Sequence, residues 1–280
     1  MPLEIHIPQG ALAEAIAMIW AWPDFQVAHA QELILPHGAM ELTINLAETP
    51  LNVRHLDDST QTIHGPMVIG GCSKPFFIGT DRPQSLLSVL FKPGAARLIF
   101  GLPATELHNQ HLSLNTLWGV DADRLYDRLL HAPTTKHRFA IVEAALCQQI
   151  EVAGPRQHTT RHGAVDYALR TFKADPINGE ITPVVEAVGL SATRFIQVFR
   201  EEIGMTPKRY TRLLRFQYGL RQIINGQHAT WSDLALACGY YDQAHFINEF
   251  RAFSGITPTQ YAPTDPDHHL NLPLPELIGV

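Results

Sequence analysis

A sixteen-residue pattern occurs twice in this chain, the second copy starting 51 positions after the first. Phe195 to Tyr210 reads F-I-Q-V-F-R-E-E-I-G-M-T-P-K-R-Y, Phe246 to Tyr261 reads F-I-N-E-F-R-A-F-S-G-I-T-P-T-Q-Y, and 8 of the 16 positions are identical. A repeat at a fixed offset means that one supersecondary unit has been used twice. Phe195 and Phe199, like Phe246 and Phe250, stand four apart and so share one helix face that can anchor to a core. Gly204 and Gly255 fall where a helix ends in the left-handed conformation. Thr206-Pro207 and Thr257-Pro258 then supply an N-cap and a first-turn proline, so the spacing predicts that a new helix begins almost at once. The unit is a helix, a sharp stop and a second helix.

In front of each copy lies a short apolar segment ending in glycine, E-A-V-G-L-S before the first and L-A-C-G-Y-Y-D before the second. Short helix, glycine turn and anchored second helix make a helix-turn-helix, whose second helix can enter a DNA major groove. Most helical hairpins bind nothing, so the pairing of two copies carries the weight, together with charge. The chain has net charge −6, but residues 191–215 hold 6 Lys and Arg against 2 Asp and Glu. Residues 1–155 hold 9 against 15, and residues 156–263 hold 12 against 9. A local basic excess inside an acidic protein suggests an anionic partner for the C-terminal part.

Here the residues resemble a known family. Residues 162–261 are similar to the DNA-binding domain of the AraC/XylS family of bacterial transcription regulators. The segment L-A-L-A-C-G-Y-Y-D-Q-A-H-F-I-N-E-F-R-A-F-S-G-I-T-P-T-Q-Y (234–261) resembles its signature over the full length, and V-G-L-S-A-T-R-F-I-Q-V-F-R-E-E-I-G-M-T-P-K-R-Y (188–210) matches it too. The resemblance implies two helix-turn-helix units joined by a linker helix over Pro207–Ile224, reading successive major grooves of double-stranded DNA. It also implies contact with RNA polymerase, and hence activation, as well as dimerisation, for which Thr135–Gln149 is the first helix to test.

With the phenylalanines turned inward, Thr193, Arg194 and Gln197 face outward on the first reading helix, and Gln243, Ala244, His245 and Asn248 occupy matching positions on the second. Gln and Asn can bond adenine in a bidentate fashion and Ala can pack on a thymine methyl. Gln197 stands where the family often has arginine, which puts guanine reading there in doubt. His245 is equally readable as a phosphate contact. Arg200, Lys208, Arg209, Arg212, Arg215 and Arg251 read as phosphate or surface charges, with an internal salt bridge an equal alternative for Arg200 and Arg251, which recur in both copies.

The rest of the chain predicts an α+β protein of two domains. Ala11–Trp22 is too densely apolar to assign to helix or strand. Short β-like runs at Glu32–Leu35, Leu42–Leu46, Met67–Ile69, Phe76–Ile78 and Leu86–Phe91, separated by turn residues, suggest a small barrel or sandwich. Helical spacing follows at Ala95–Phe100, Ala122–Leu130 and Thr135–Gln149. The expected division is an N-terminal domain over 1–150, a linker over 151–160, an all-α DNA-binding domain over 161–263 and an irregular proline-rich tail over 264–280. The segments 33–46, 91–107 and 117–119 resemble the cupin-like sensor domain of one AraC subgroup, which implies a small effector, dimerisation, or both. Trp20, Trp22, Phe25, Phe76, Phe77 and Phe91 could line its pocket, although such aromatics are more often plain core.

Catalysis finds little support. No hydrolase elbow, phosphate loop or dinucleotide fingerprint occurs, and no cofactor is implied. Nine histidines precede residue 156, yet the one tight pair is His108 and His111, a weak metal candidate. Cys72, Cys147 and Cys238 are too scattered for a thiolate zinc site such as the related DNA-repair methyltransferases use, and they fit a reducing compartment. The apolar run 11–22 is too short to span a bilayer, and a cytoplasmic location is the expectation. The competing expectations are a metal-dependent cupin-like enzyme with an appended DNA-binding domain, and a DNA binder with no ligand.

Overall fold

The structure, a computed structural model, describes residues 3–25, 30–153, 162–226 and 230–261. The N-terminal part is built on two antiparallel sheets. The first has the order β1(Glu4–His6), β2(Ile16–Phe25), β9(Gln84–Phe91), β4(Glu41–Asn45), β7(Met67–Ile69), β10(His111–Ser113). The second runs β3(Gln31–Ile34), β8(Phe76–Gly79), β5(Leu51–His55), β6(Thr60–Ile63). The two remain separate sheets, so the outcome is the sandwich and not the barrel.

Burial on both faces explains why the central strand β9 reads as a nearly unbroken apolar run. Alternate side chains along a strand point to opposite faces. Met67 and Ile69 therefore join the core between the sheets, while Val68 joins the core under the helices. Pro23 lies in β2 where its register against β9 shifts, between Trp22 and Phe25. A residue with no N–H to donate is tolerated at such an irregularity. The Ala11–Trp22 stretch resolves into both elements: α1(Leu12–Ala15) and then the start of β2. The strands that the sequence did not predict are β1, β2, β5, β6 and β10. Three of the four β6 residues are exposed polar ones, leaving almost no apolar pattern to read.

Helices cover the outer face of the six-stranded sheet: α2(Ala95–Phe100), α3(Ala104–Leu107), α4(Leu114–Trp118), α5(Val120–Leu130) and α6(Thr135–Ala153). Phe139, Val142, Leu146 and Ile150 of α6 recur at helical spacing and are buried against it. That helix continues through the first three residues of the expected linker. The remainder of 151–160 and the tail 264–280 lie outside the described residues.

The C-terminal part is α7(Gly163–Ala174), α8(Ile181–Val188), α9(Ala192–Ile203), α10(Pro207–Ile224), α11(Trp231–Ala237) and α12(Gln243–Ser254). One core serves all six, and Leu33 and Leu35 of the N-terminal part pack into it. After α12, Thr257 and Pro258 open a turn closed by the Tyr261 N–H donating to the Thr257 carbonyl at 3.1 Å. Through residue 261 this is a turn and not the expected helix. No helix among the described residues is long and apolar enough to cross a membrane.

Candidate nucleic-acid interface

Each copy of the repeat closes the same way. In the first, α8 ends at Gly189 (φ 67°), Ser191 caps α9 by accepting from the Arg194 N–H, and Gly204 (φ 89°) stops it. In the second, α11 gives way to Gly239 (φ 72°), Asp242 caps α12 by accepting from the His245 N–H at 2.7 Å, and Gly255 (φ 75°) stops it. Phe195, Phe199, Phe246 and Phe250 are all buried. The inward face is therefore fixed by packing, and the polar residues between are turned to solvent.

Those polar residues are the expected base readers. Thr193, Arg194, Gln197, Ala244, His245 and Asn248 are exposed and Gln243 is half-buried. On α9 they form a chain: Arg194 Nη1 donates to Gln197 Oε1 at 3.1 Å, and Gln197 Nε2 donates to Glu201 Oε1 at 3.1 Å. On α12, the Gln243 side chain accepts from Ser232 Oγ of α11 at 3.0 Å, and the His245 ring stands edge-on to Tyr240. These pairs hold the side chains in place, which favours selective over adaptable contacts.

The linker α10 starts at a Thr206 cap with Pro207 in its first turn. Its 18 residues rise about 27 Å at about 1.5 Å each. Phe216 packs on Phe250 and Phe253, and a Cβ at Gly219 would lie 3.3 Å from the Phe246 ring and 3.6 Å from Cys238 Sγ. The linker thus holds the second unit by close packing.

The six basic residues expected at phosphates separate into two groups. Arg200, Lys208 and Arg251 are exposed. The other three have partners within the protein. Arg212 donates from Nε and Nη2 to the two oxygens of Glu249 at 2.8 and 2.7 Å, an ion pair that holds the guanidinium firmly in its charged form. Arg215 lies over the Tyr240 ring. Arg209 reaches the N-terminal part: Nε donates to Ser73 Oγ at 2.8 Å and Nη2 to the Ser73 carbonyl at 3.1 Å. Pairing of this kind has no signal in sequence, because the partners lie 136 residues apart.

That contact belongs to a junction between the two parts of the molecule. Ser73 is held in turn by Asn109 and by His108 Nε2, and His108 Nδ1 lies 2.6 Å from the Gly71 carbonyl. Burial, with Arg209, Arg200 and Lys74 nearby, holds the His108 pKa below the usual imidazole range. Gln217 Nε2 donates to the Pro36 carbonyl at 3.2 Å. Gly38 sits where a Cβ would come within 2.8 Å of Leu213, and Gly204 where one would come within 2.9 Å of the Ala104 carbonyl.

His108 and His111, the metal candidates, are occupied differently. His108 makes the junction bonds just described, whereas His111 lies buried between Phe76 and His55 with neither ring nitrogen bonded. No group of three or more potential ligands occurs among the described residues. Of the aromatics expected at a pocket, Trp20, Phe25 and Phe76 line a cavity of only about 40 Å³ between the sheets. Phe91 instead lines a cleft of about 370 Å³ at the junction, with Lys92 on one side and Arg170, Lys173, Leu214 and Arg221 on the other.

Comparison with known proteins assigns the two parts separately. Residues 184–263 match a family model described as a helix-turn-helix domain, and residues 4–113 match one described as a domain of unknown function. An uncharacterised HTH-type transcriptional regulator of Haemophilus influenzae is 31% identical over 95 residues, 34% of this chain and 32% of that one. The HTH-type transcriptional activator RhaS of Escherichia coli is 32% identical over 83 residues, 30% of this chain and 29% of its own. The match thus spans about a third of the length of these curated relatives. Among solved structures, ToxT of Vibrio cholerae aligns over 87% of this chain and 96% of its own, at 10% identity and a TM-score of 0.46.

Proposed function

Residues 184–263 belong to the AraC/XylS type of helix-turn-helix domain, and on that premise we propose that the chain is a sequence-specific, DNA-binding transcription regulator acting in the cytoplasm. The observation that carries this is the pair α9 and α12: two capped helices with buried phenylalanine anchors and outward polar faces, joined by one packed helix. The length of α10, about 27 Å at about 1.5 Å per residue, is of the order of the roughly 34 Å between successive grooves. Its work is binding and not catalysis.

Thr193, Arg194 and Gln197 would read bases in one groove, and Gln243, Ala244, His245 and Asn248 in the next. Arg200, Lys208 and Arg251 would neutralise phosphates. RhaS is named an activator, which supports activation, and contact with RNA polymerase is the route we propose for it. Self-association through α6 is the arrangement we propose for the N-terminal part.

A small-molecule effector would bias the regulator by binding one arrangement of the two parts more tightly. The cavity between the sheets has room for a water or two, whereas the junction cleft falls in the size range of small-molecule sites. Its lining holds Lys92, Arg170, Lys173 and Arg221 against Asp166, which pairs with Arg170, and this basic excess supports an anionic effector there.

Mobility-shift titration on the intergenic region upstream of the gene tests the reading. Arg194→Ala and Asn248→Ala are expected to lose about 1–3 kcal/mol of specific binding each while leaving non-specific binding nearly intact. Lys208→Ala weakens all binding and flattens the salt dependence. Arg212→Ala, which strands Glu249, lowers stability in urea instead. Unchanged selectivity in both base-reader variants would sink the assignment.

A further inference from the structure

The two reading units differ in length by one residue, and the structure identifies it. Leu190 and Tyr240 follow their turn glycines and pack into the domain core, while Ser191 and Asp242 both cap a reading helix. Between Tyr240 and Asp242 the second unit has Tyr241, for which the first has no counterpart. The Tyr241 side chain is 87% exposed, the most exposed large apolar side chain among the described residues. An inserted aromatic that packs on nothing in its own protein gains no stability from burial.

Charge indicates what it meets. Residues 230–261 contain Arg251 as their sole Lys or Arg against Asp233, Asp242 and Glu249. Arg212 is paired with Glu249, and Arg215 is held over Tyr240. A helix in a major groove is positioned by bonds to phosphate, and where cations are few these come from neutral donors, tyrosine hydroxyls among them. Tyr241 stands in the turn just before α12, and its backbone N–H reaches the His245 ring at 3.5 Å. It is therefore beside the outward residues of that helix.

We propose that Tyr241 is a DNA-backbone contact peculiar to the second unit, its hydroxyl donating a hydrogen bond to a phosphate oxygen at the edge of the groove that α12 occupies. This rests on the DNA-binding reading above. The contact is uncharged, which distinguishes it from every arginine on this surface.

The test uses the full chain as wild type, Tyr241→Phe and Tyr241→Ala, with a duplex selected from a random pool by the wild-type protein. Fluorescence anisotropy is recorded from 50 to 200 mM salt. Loss of one hydrogen bond to a charged acceptor should weaken Tyr241→Phe on the order of ten-fold, and Tyr241→Ala at least as much. The slope of log K against log salt should stay at the wild-type value because no counterion is released, whereas Arg251→Ala should change it. Hydroxyl-radical footprints of both tyrosine variants should lose protection at one half of the site only. Thermal melts of the three proteins should superimpose, because the residue is 87% exposed. Wild-type affinity in both variants overturns the proposal and assigns Tyr241 to a protein partner instead. Loss in the alanine variant alone overturns the hydroxyl contact. Failure of the wild type itself to select any duplex overturns the DNA reading, and with it this inference.

Discussion

His111 shows how much one side chain can set. It lies on β10 with 4% of its surface exposed, against Phe76 and beside His55. Burial, reinforced by the His55 charge, lowers its pKa to about 4 from an ordinary 6.5. The folded protein thus holds the neutral ring, and the unfolded chain takes up the proton first as pH falls. Stability is full above about pH 6.5 and is lost progressively down to about pH 4. At pH 5 the loss from this one group is on the order of 2 kcal/mol. Urea unfolding at pH 7 and pH 5 should show a smaller difference in His111→Leu than in wild type. An equal difference would place the pH sensitivity elsewhere. The sequence marked His111 as a ligand candidate because of its spacing from His108, but spacing cannot say that one ring bonds Ser73 at the junction while the other is buried against Phe76.

At the scale of elements, α10 decides how the two reading helices stand to each other. At Gly219 the Phe246 ring of α12 and the Cys238 Sγ just after α11 stand at contact distance from a hypothetical Cβ. Gly219→Val should destabilise the domain by about 1–3 kcal/mol through overpacking, read as a lower urea midpoint. It should also weaken binding to the selected duplex more than binding to isolated half-sites. The C-terminal elements were legible because caps, stops and anchors are local signals: Thr206 caps α10, and Gly204 and Gly255 stop α9 and α12, where the sequence places them. The sandwich was legible only in part. Apolar strands such as β7 and β9 stood out, but β1 and β6 are short and exposed and carry no pattern. The outward faces of α9 and α12 followed from facing alone, whereas the fates of Arg209, Arg212 and Arg215 depended on partners distant in sequence.

At the scale of the molecule, the N-terminal part grips the first reading unit and the linker helix through Arg209 and Ser73, Gln217 and Pro36, and the tight approaches at Gly38 and Gly204. Two parts joined by such a junction unfold together as long as it holds. Arg209→Ala removes both bonds to Ser73, and calorimetry should then resolve two transitions where the wild type gives one. A single unshifted transition would show that the apolar contacts around Leu33 and Leu35 suffice.

The bond from Gln217 to the Pro36 carbonyl spans 181 residues. A ribosome adding 5–20 residues per second needs roughly ten to forty seconds to make the second partner after the first. For the first part of that interval, until Ala164 and the residues after it are made, Leu33 and Leu35 lack the C-terminal core in which they end up. The growing chain therefore carries a sticky strip while roughly the next 130 residues are added, and chaperone demand should peak before the repeat has emerged.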